Sequence, residues 1–91
     1  IGDIVQVWSN DTYFAALHRV IASAEKDRYS IPYFMAPEYR TNYEPVPTMV
    51  SDDRPPRYKS INWGEFKRLR SDGDYADYGN EIQIERYRIG A

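Results

Sequence analysis

The chain has 91 residues, 42% of them hydrophobic, and a net charge of −2 at pH 7. This length allows one small domain with a thin core, or a piece of a larger domain. A weakly acidic chain offers no basic field to nucleic acid or anionic lipid, and no apolar run approaches the ~20 residues of a membrane span. Because cysteine is absent, disulfides and thiolate metal sites are excluded, and we expect a cytoplasmic protein.

The first third of the sequence is predicted to form strands. Residues 3–8 are rich in branched and aromatic side chains, which favours a strand, and residues 9–11 are typical of a turn. A second strand is predicted over residues 18–22, and a charged hairpin loop leads to a third over residues 28–35. Pro32 lacks an N–H donor, so we expect the third strand at a sheet edge or a bulge.

The rest of the sequence begins with a proline-rich stretch and ends in a helix and a short extended segment. Prolines accumulate between residues 36 and 57, which indicates an extended excursion over the surface. Asn62 suits a helix N-cap, with Glu65 completing a capping pair, and the apolar spacing that follows predicts a helix near residues 62–71 ended by Gly73. Residues 81–87 alternate between apolar and polar, which predicts a late strand or extended tail.

Candidate functional side chains cluster in the first third. His18 is the sole histidine, so imidazole chemistry has one possible residue. The two-residue period of a strand would place Arg28, Ser30 and Phe34 on one face. Their guanidinium fork, hydroxyl and aromatic ring suit a small carboxylate held beside a metal-bound histidine. The alternatives are an ordinary histidine, a surface arginine in a weak ion pair, and core packing for Phe34.

An ordered series of short motifs resembles the C-terminal part of the iron(II)/2-oxoglutarate-dependent oxygenases, the family that includes isopenicillin N synthase. The series comprises Ile1-Gly2-Asp3, Trp8-Ser9-Asn10-Asp11, His18-Arg19-Val20, Arg28-x-Ser30-Ile31-Pro32-Tyr33-Phe34, Pro37 and Glu44-Pro45-Val46-Pro47. It covers about half of the chain at spacing similar to that of the family. We therefore expect the chain to be a C-terminal fragment of such an oxygenase.

The resemblance implies a mainly β fold, with the last strands of a double-stranded β-helix (a jelly roll) in residues 1–36 and an extension over residues 37–91 that contains the helix. It also implies an enzyme that couples oxidative decarboxylation of 2-oxoglutarate to oxidation of a small organic substrate by dioxygen. In that enzyme His18 would ligate iron(II), Arg28 with Ser30 would bind 2-oxoglutarate, and Phe34 would line the substrate site.

The sequence departs from the family in one respect. The family's other two iron ligands come from a His-x-Asp motif, and this chain has no second histidine. We therefore expect the 91 residues to be inactive alone and to require the upstream half of their own domain as a partner. The alternative is a non-catalytic jelly-roll interaction module that keeps the fold but has lost the metal.

Overall fold

The computed structural model describes residues 1–76 and 83–90. Regular elements within these ranges are few, and many of the other described residues are irregular. In chain order they are helix α1 (Asp3–Trp8), strand β1 (Asn42–Tyr43), a 3-10 turn (Pro47–Met49), strand β2 (Ile61–Asn62), helix α2 (Trp63–Ala76) and a second 3-10 turn (Ile84–Tyr87). Neither described helix is long and apolar enough to cross a membrane.

The prediction of a mainly β chain carrying the last strands of a jelly roll was wrong for the described residues. Their only sheet is the two-stranded antiparallel pair of β1 and β2, in which Tyr43 lies opposite Ile61. Residues 18–22 and 28–35, both predicted as strands, are irregular and exposed. A strand is stable when a neighbouring strand takes up its backbone hydrogen bonds, and within the described chain neither segment has such a neighbour.

Residues 3–8 were also predicted as a strand, and they form α1 instead. Their branched side chains favour a strand locally, but Asp3 lies in the first turn, where a negative charge complements the helix dipole. Gln6 and Val7 are both buried. A strand would point two neighbouring side chains to opposite faces, whereas the helix turns both toward the interior.

The predicted turn at residues 9–11 is confirmed, and it ends α1. The Ser9 N–H donates to the carbonyl of Val5 at 2.9 Å. Asn10 and Asp11 then adopt positive φ angles of 51° and 67°. Asparagine and aspartate tolerate this left-handed region better than other non-glycine residues. The chain therefore reverses direction immediately after the helix.

A small apolar core joins α1 to β2, α2 and the C-terminal 3-10 turn. Its buried members are Val7, Tyr58, Ile61, Phe66 and Ile84. A row of aromatic rings runs beside it, with successive centroids 4.9 to 6.2 Å apart, and all of these pairs are edge contacts except the tilted pair of Trp63 and Phe66. In order, the rings of this row belong to Trp8, Tyr43, Trp63, Phe66 and Tyr87. The row ties the first helix to the last turn.

Helix α2 begins where the capping pattern predicts and extends further than expected. The Oδ1 atom of Asn62 accepts the N–H of Glu65 at 3.0 Å, so the predicted cap is confirmed. The helix continues to Ala76, so the prediction that Gly73 ends it was wrong. Glycine inside a helix costs only ~1 kcal/mol, which the flanking helix can absorb. The predicted domain boundary after residue 36 stays a prediction.

The late strand predicted over residues 81–87 is also wrong where the structure describes it. Residues 81–82 lie outside the described residues, and Ile84–Tyr87 is a 3-10 turn. An isolated antiparallel bridge then joins Tyr58 to Arg88. Two backbone hydrogen bonds of 2.8 Å flank this bridge. The C-terminal segment is therefore held to the chain just before β2 without forming a sheet.

The proline-rich stretch is largely irregular, as predicted, but it is folded back onto the start of the chain. The Val46 N–H donates to the carbonyl of Trp8 at 3.0 Å, and the Nδ2 of Asn10 donates to the carbonyls of Met49 and Pro55 at 3.3 and 3.1 Å. Asn10 is fully buried. The turn after α1 therefore organises residues far along the sequence.

Replacing Asn62 tests whether its N-cap hydrogen bond stabilises α2. We expect Asn62→Ala to lower the free energy of unfolding by about 1 kcal/mol, because the N–H of Glu65 loses its acceptor. Urea denaturation measures the change. Asn42→Ala is the matched control, since it removes the 2.9 Å bond between the two asparagine side chains and leaves the cap intact. Equal losses in the two variants would contradict the capping role.

Candidate functional site

The structure places all four predicted site residues on one exposed, irregular segment, residues 14–37. His18, Arg28, Ser30 and Phe34 are exposed, and the Phe34 side chain is 84% accessible. Phe34 is therefore not part of the core formed by the described residues. An open groove of about 470 Å³ is lined by His18 but by none of the other three. The described structure therefore does not assemble the four side chains into one pocket.

The imidazole of His18 has a defined hydrogen bond. Its Nδ1 lies 2.8 Å from the carbonyl oxygen of Ala16. A carbonyl oxygen only accepts, so Nδ1 donates its N–H in this contact, and Nε2 is the ring nitrogen that this contact leaves open. A backbone carbonyl on one ring nitrogen is also what commonly orients a metal-binding histidine. The ring chemistry of His18 is therefore compatible with a ligand role.

The described residues do not fit an iron centre by themselves. They contain no group of three or more histidine, cysteine, aspartate or glutamate side chains that could hold a metal ion. A facial triad of two histidines and one carboxylate needs two imidazoles, and the sequence supplies one. Asp3, which shares the groove with His18, is already bound to Arg70 at 2.6 Å. His18 thus offers at most one of the three ligands.

A buried carboxylate, that of Asp11, organises a polar network that the sequence analysis did not predict. Its Oδ2 accepts from Nη1 of Arg88 at 2.7 Å and lies 3.4 Å from Nη1 of Arg57. Its Oδ1 accepts the hydroxyl of Tyr58 at 2.6 Å and the side-chain amide of Gln6 at 3.3 Å. Asp11 is 7% exposed. We call these five residues the Asp11 network.

The electrostatics of the Asp11 network fix its protonation state. Burial by itself raises the pKa of Asp11, but the hydrogen bonds from Arg88 and Tyr58 and the charge of Arg88 outweigh it, so the pKa lies below its ordinary 3.8. Burial, followed by the hydrogen bond to Asp11, raises the pKa of Tyr58 to about 12. The hydrogen bond to Asp11 also raises the pKa of Arg88. None of these groups is poised to exchange a proton near neutral pH, so the network is suited to structure and not to acid–base catalysis.

The Asp11 network escaped prediction because its contacts are remote in sequence. Arg57 and Arg88 lie 46 and 77 residues from Asp11, and a local pattern carries no information about such pairings. The one available signal was the Asn10-Asp11 pair, whose residue types permit a left-handed turn. That signal predicts the turn but not the burial of the carboxylate.

Comparison with known proteins identifies the family. Residues 1–37 match the sequence model of the 2OG-Fe(II) oxygenase superfamily. These residues belong to that superfamily. The predicted family resemblance is thereby confirmed, and the four candidate side chains all lie within the matched residues.

The proteins to which this chain is similar include plant dioxygenases. Gibberellin 2-beta-dioxygenase 5 of Oryza sativa subsp. japonica is 36% identical over 88 residues, which cover 97% of this chain and 25% of that protein. Gibberellin 2-beta-dioxygenase 8 of Arabidopsis thaliana is 33% identical over 96% of the chain and 24% of the relative. Hyoscyamine 6-dioxygenase of Hyoscyamus niger is 29% identical over 98% and 26%. The chain thus spans about a quarter of the length of these relatives. No solved structure matches it.

Neutralising the buried carboxylate tests the importance of the Asp11 network. We expect Asp11→Asn to lower the free energy of unfolding by roughly 2–4 kcal/mol, because the mostly buried Arg88 loses the counter-ion supplied by a buried carboxylate. Chemical denaturation at pH 7 measures the loss. Asp72→Asn makes the same chemical change in an exposed pair with Arg68, where we expect less than about 0.5 kcal/mol. Equal losses of stability in Asp11→Asn and Asp72→Asn would contradict the structural role of the Asp11 network.

The lowered pKa of Asp11 predicts a specific pH dependence. A carboxyl whose pKa is depressed on folding stabilises the native state above its unfolded pKa, and that contribution is lost as pH falls through the folded value. We therefore expect the stability gap between the native chain and Asp11→Asn to be constant from pH 7 to about 5. Below its ordinary pKa of 3.8 the gap should shrink. Denaturation curves at stepped pH measure it, and a gap that widens in acid would refute the lowered pKa.

Proposed function

We propose that this chain is part of an iron(II)/2-oxoglutarate-dependent dioxygenase, in which it supplies one iron ligand and the residues that bind the co-substrate. The observation that carries the proposal is the superfamily match over residues 1–37, which contains His18 and the Arg28-x-Ser30 pair in the expected order. The relatives named as dioxygenases, similar along nearly the whole chain, add support. The reaction proposed for the complete enzyme couples oxidative decarboxylation of 2-oxoglutarate to oxidation of a small organic substrate by dioxygen.

In the proposed reaction, the role of this chain is to bind and orient iron(II) and 2-oxoglutarate. His18 is proposed to ligate iron(II) through Nε2, with Nδ1 held by the carbonyl of Ala16. Arg28 is proposed to form paired N–H···O bonds to the distal carboxylate of 2-oxoglutarate, because its planar fork matches that geometry and its charge does not titrate. The hydroxyl of Ser30 adds a third bond, and Phe34 is proposed to border the organic substrate.

A chimera tests these roles directly. We would replace the matching quarter of the Oryza sativa gibberellin 2-beta-dioxygenase 5 with this chain and measure succinate release from 2-oxoglutarate in the presence of gibberellin. We expect turnover, its loss in His18→Ala, and a rise of about tenfold or more in the KM for 2-oxoglutarate in Arg28→Ala, because a charge-assisted pair is removed.

The matched control for Arg28→Ala is Arg40→Ala, which removes an exposed arginine that follows the matched residues and should leave the KM unchanged. Full activity in His18→Ala, or equal KM values in the two arginine variants, would contradict the assigned roles. A folded chimera that binds neither iron(II) nor 2-oxoglutarate would favour a non-catalytic module.

The isolated chain should be inactive. The chain has one imidazole, and its described residues contain no cluster of three metal ligands. It therefore cannot build the facial triad that the chemistry requires. We expect no succinate above the iron-only background when the 91-residue chain is incubated aerobically with iron(II), ascorbate and 2-oxoglutarate. Turnover that disappears in His18→Ala would show that the chain is sufficient and would overturn this part of the proposal.

A further inference from the structure

Gln6 connects the Asp11 network to the segment that carries His18. Its Oε1 accepts the backbone N–H of Ala15 at 2.8 Å, and Ala15 lies three residues before His18 in the sequence. Gln6 itself is 5% exposed and lies in α1. A buried side chain on a helix thus holds the backbone directly ahead of the candidate iron ligand.

The contacts of Gln6 permit only one orientation of its side-chain amide. The Nε2 group donates to Tyr58 Oη at 3.0 Å and to Asp11 Oδ1 at 3.3 Å. The ionised carboxylate only accepts, and the Tyr58 hydroxyl has already committed its proton to Asp11 at 2.6 Å. Turning the amide over would set its oxygen against both of these acceptors. The side-chain oxygen of Gln6, Oε1, must therefore face the N–H of Ala15.

The hydrogen bond between the N–H of Ala15 and Gln6 Oε1 is the last one that holds the backbone to the folded part of the chain before His18. Among the described residues, 16–37 make hydrogen bonds only within their own segment. On the far side, the next fixed point is the carbonyl of Tyr39, which accepts the N–H of Gly64 at 3.0 Å. The position of Ala15 therefore determines where the histidine segment leaves the folded part of the chain.

We propose that Gln6 is a positioning residue for His18, and that Asp11 and Tyr58 hold Gln6 in the orientation this task requires. Because Arg88 binds the same carboxylate at 2.7 Å, the C-terminal segment takes part in the positioning. The inference rests on the proposed function for the role of His18. In structural terms, the series of contacts from Arg88 through Asp11 and Gln6 to Ala15 sets the conformation of the chain at His18.

Nuclear magnetic resonance of the 91-residue chain tests the positioning without metal. The variants are Gln6→Met, which removes both ends of the amide at similar volume, and Tyr58→Phe, which keeps Gln6 but removes one of the acceptors that orient it. We expect amide exchange at Ala15, relative to core amides, to rise by about tenfold in Gln6→Met and less in Tyr58→Phe. The ring ¹H–¹³C signal of His18 should shift in the same direction in both variants.

Phe66→Leu is the matched control, because it loosens the core that Phe66 shares with Tyr58 but removes none of the hydrogen-bonding groups of the Asp11 network. It should lower overall stability while leaving the relative exchange at Ala15 and the His18 signal unchanged. A relative exchange at Ala15 that rises as much in Phe66→Leu as in Gln6→Met would overturn the inference. An unmoved His18 signal in both Gln6→Met and Tyr58→Phe would also overturn it.

The chimera described above separates this inference from the proposed function. There Gln6→Met should weaken iron(II) binding by about tenfold, as expected for loss of a group that orients a ligand, with the KM for 2-oxoglutarate changed by less than about twofold. Unchanged iron(II) affinity in His18→Ala would contradict the proposed function. Unchanged affinity in Gln6→Met beside a defective His18→Ala would contradict the positioning role alone.

Discussion

The fold of the described residues depends on one buried charge, the carboxylate of Asp11. The apolar core is small, so burial of hydrophobic surface alone stabilises the arrangement weakly. Asp11 joins the turn after α1 to Arg57 and Tyr58 before β2 and to Arg88 near the C-terminus. Holding segments so distant in sequence costs loop-closure entropy, and several hydrogen bonds to one ionised group offset that cost where a thin core cannot.

The segment with candidate chemistry lies outside that framework. Residues 16–37 carry exposed apolar side chains, among them Leu17 and Ile31, which are almost fully accessible. Soluble monomeric proteins rarely expose large apolar side chains in a continuous run of this kind. Residues 16–37, which lie within the part of the chain that matches the oxygenase superfamily, thus have few stabilising contacts with the rest of the described chain. This division agrees with a chain that spans only about a quarter of the length of its relatives.

The sequence predicted what short-range chemistry decides. The Asn62 cap was predictable because donor and acceptor lie three residues apart, and the turn at residues 9–11 was predictable from residue type. The helix at residues 3–8 was not, because its branched side chains favour a strand and only burial of Gln6 beside Val7 selects the helix. The Asp11 network was beyond reach for a similar reason, since its contacts form only after the chain has folded. The family was recognisable because the order and spacing of the short motifs can be read from the sequence even where the local structure is ambiguous.

Charge compensation also determines which arginines can serve an anionic ligand. Arg88 and Arg57 share the carboxylate of Asp11, and Arg70 and Arg68 bind Asp3 and Asp72. An arginine already bound to a carboxylate must lose that contact before it can bind another, which is costly where the carboxylate is buried. Within the described chain Arg28 has no ion pair. The Asp11 network, although rich in guanidinium groups, is therefore unsuited to an anionic ligand, whereas the exposed segment keeps Arg19 and Arg28, which form no ion pair within the described chain.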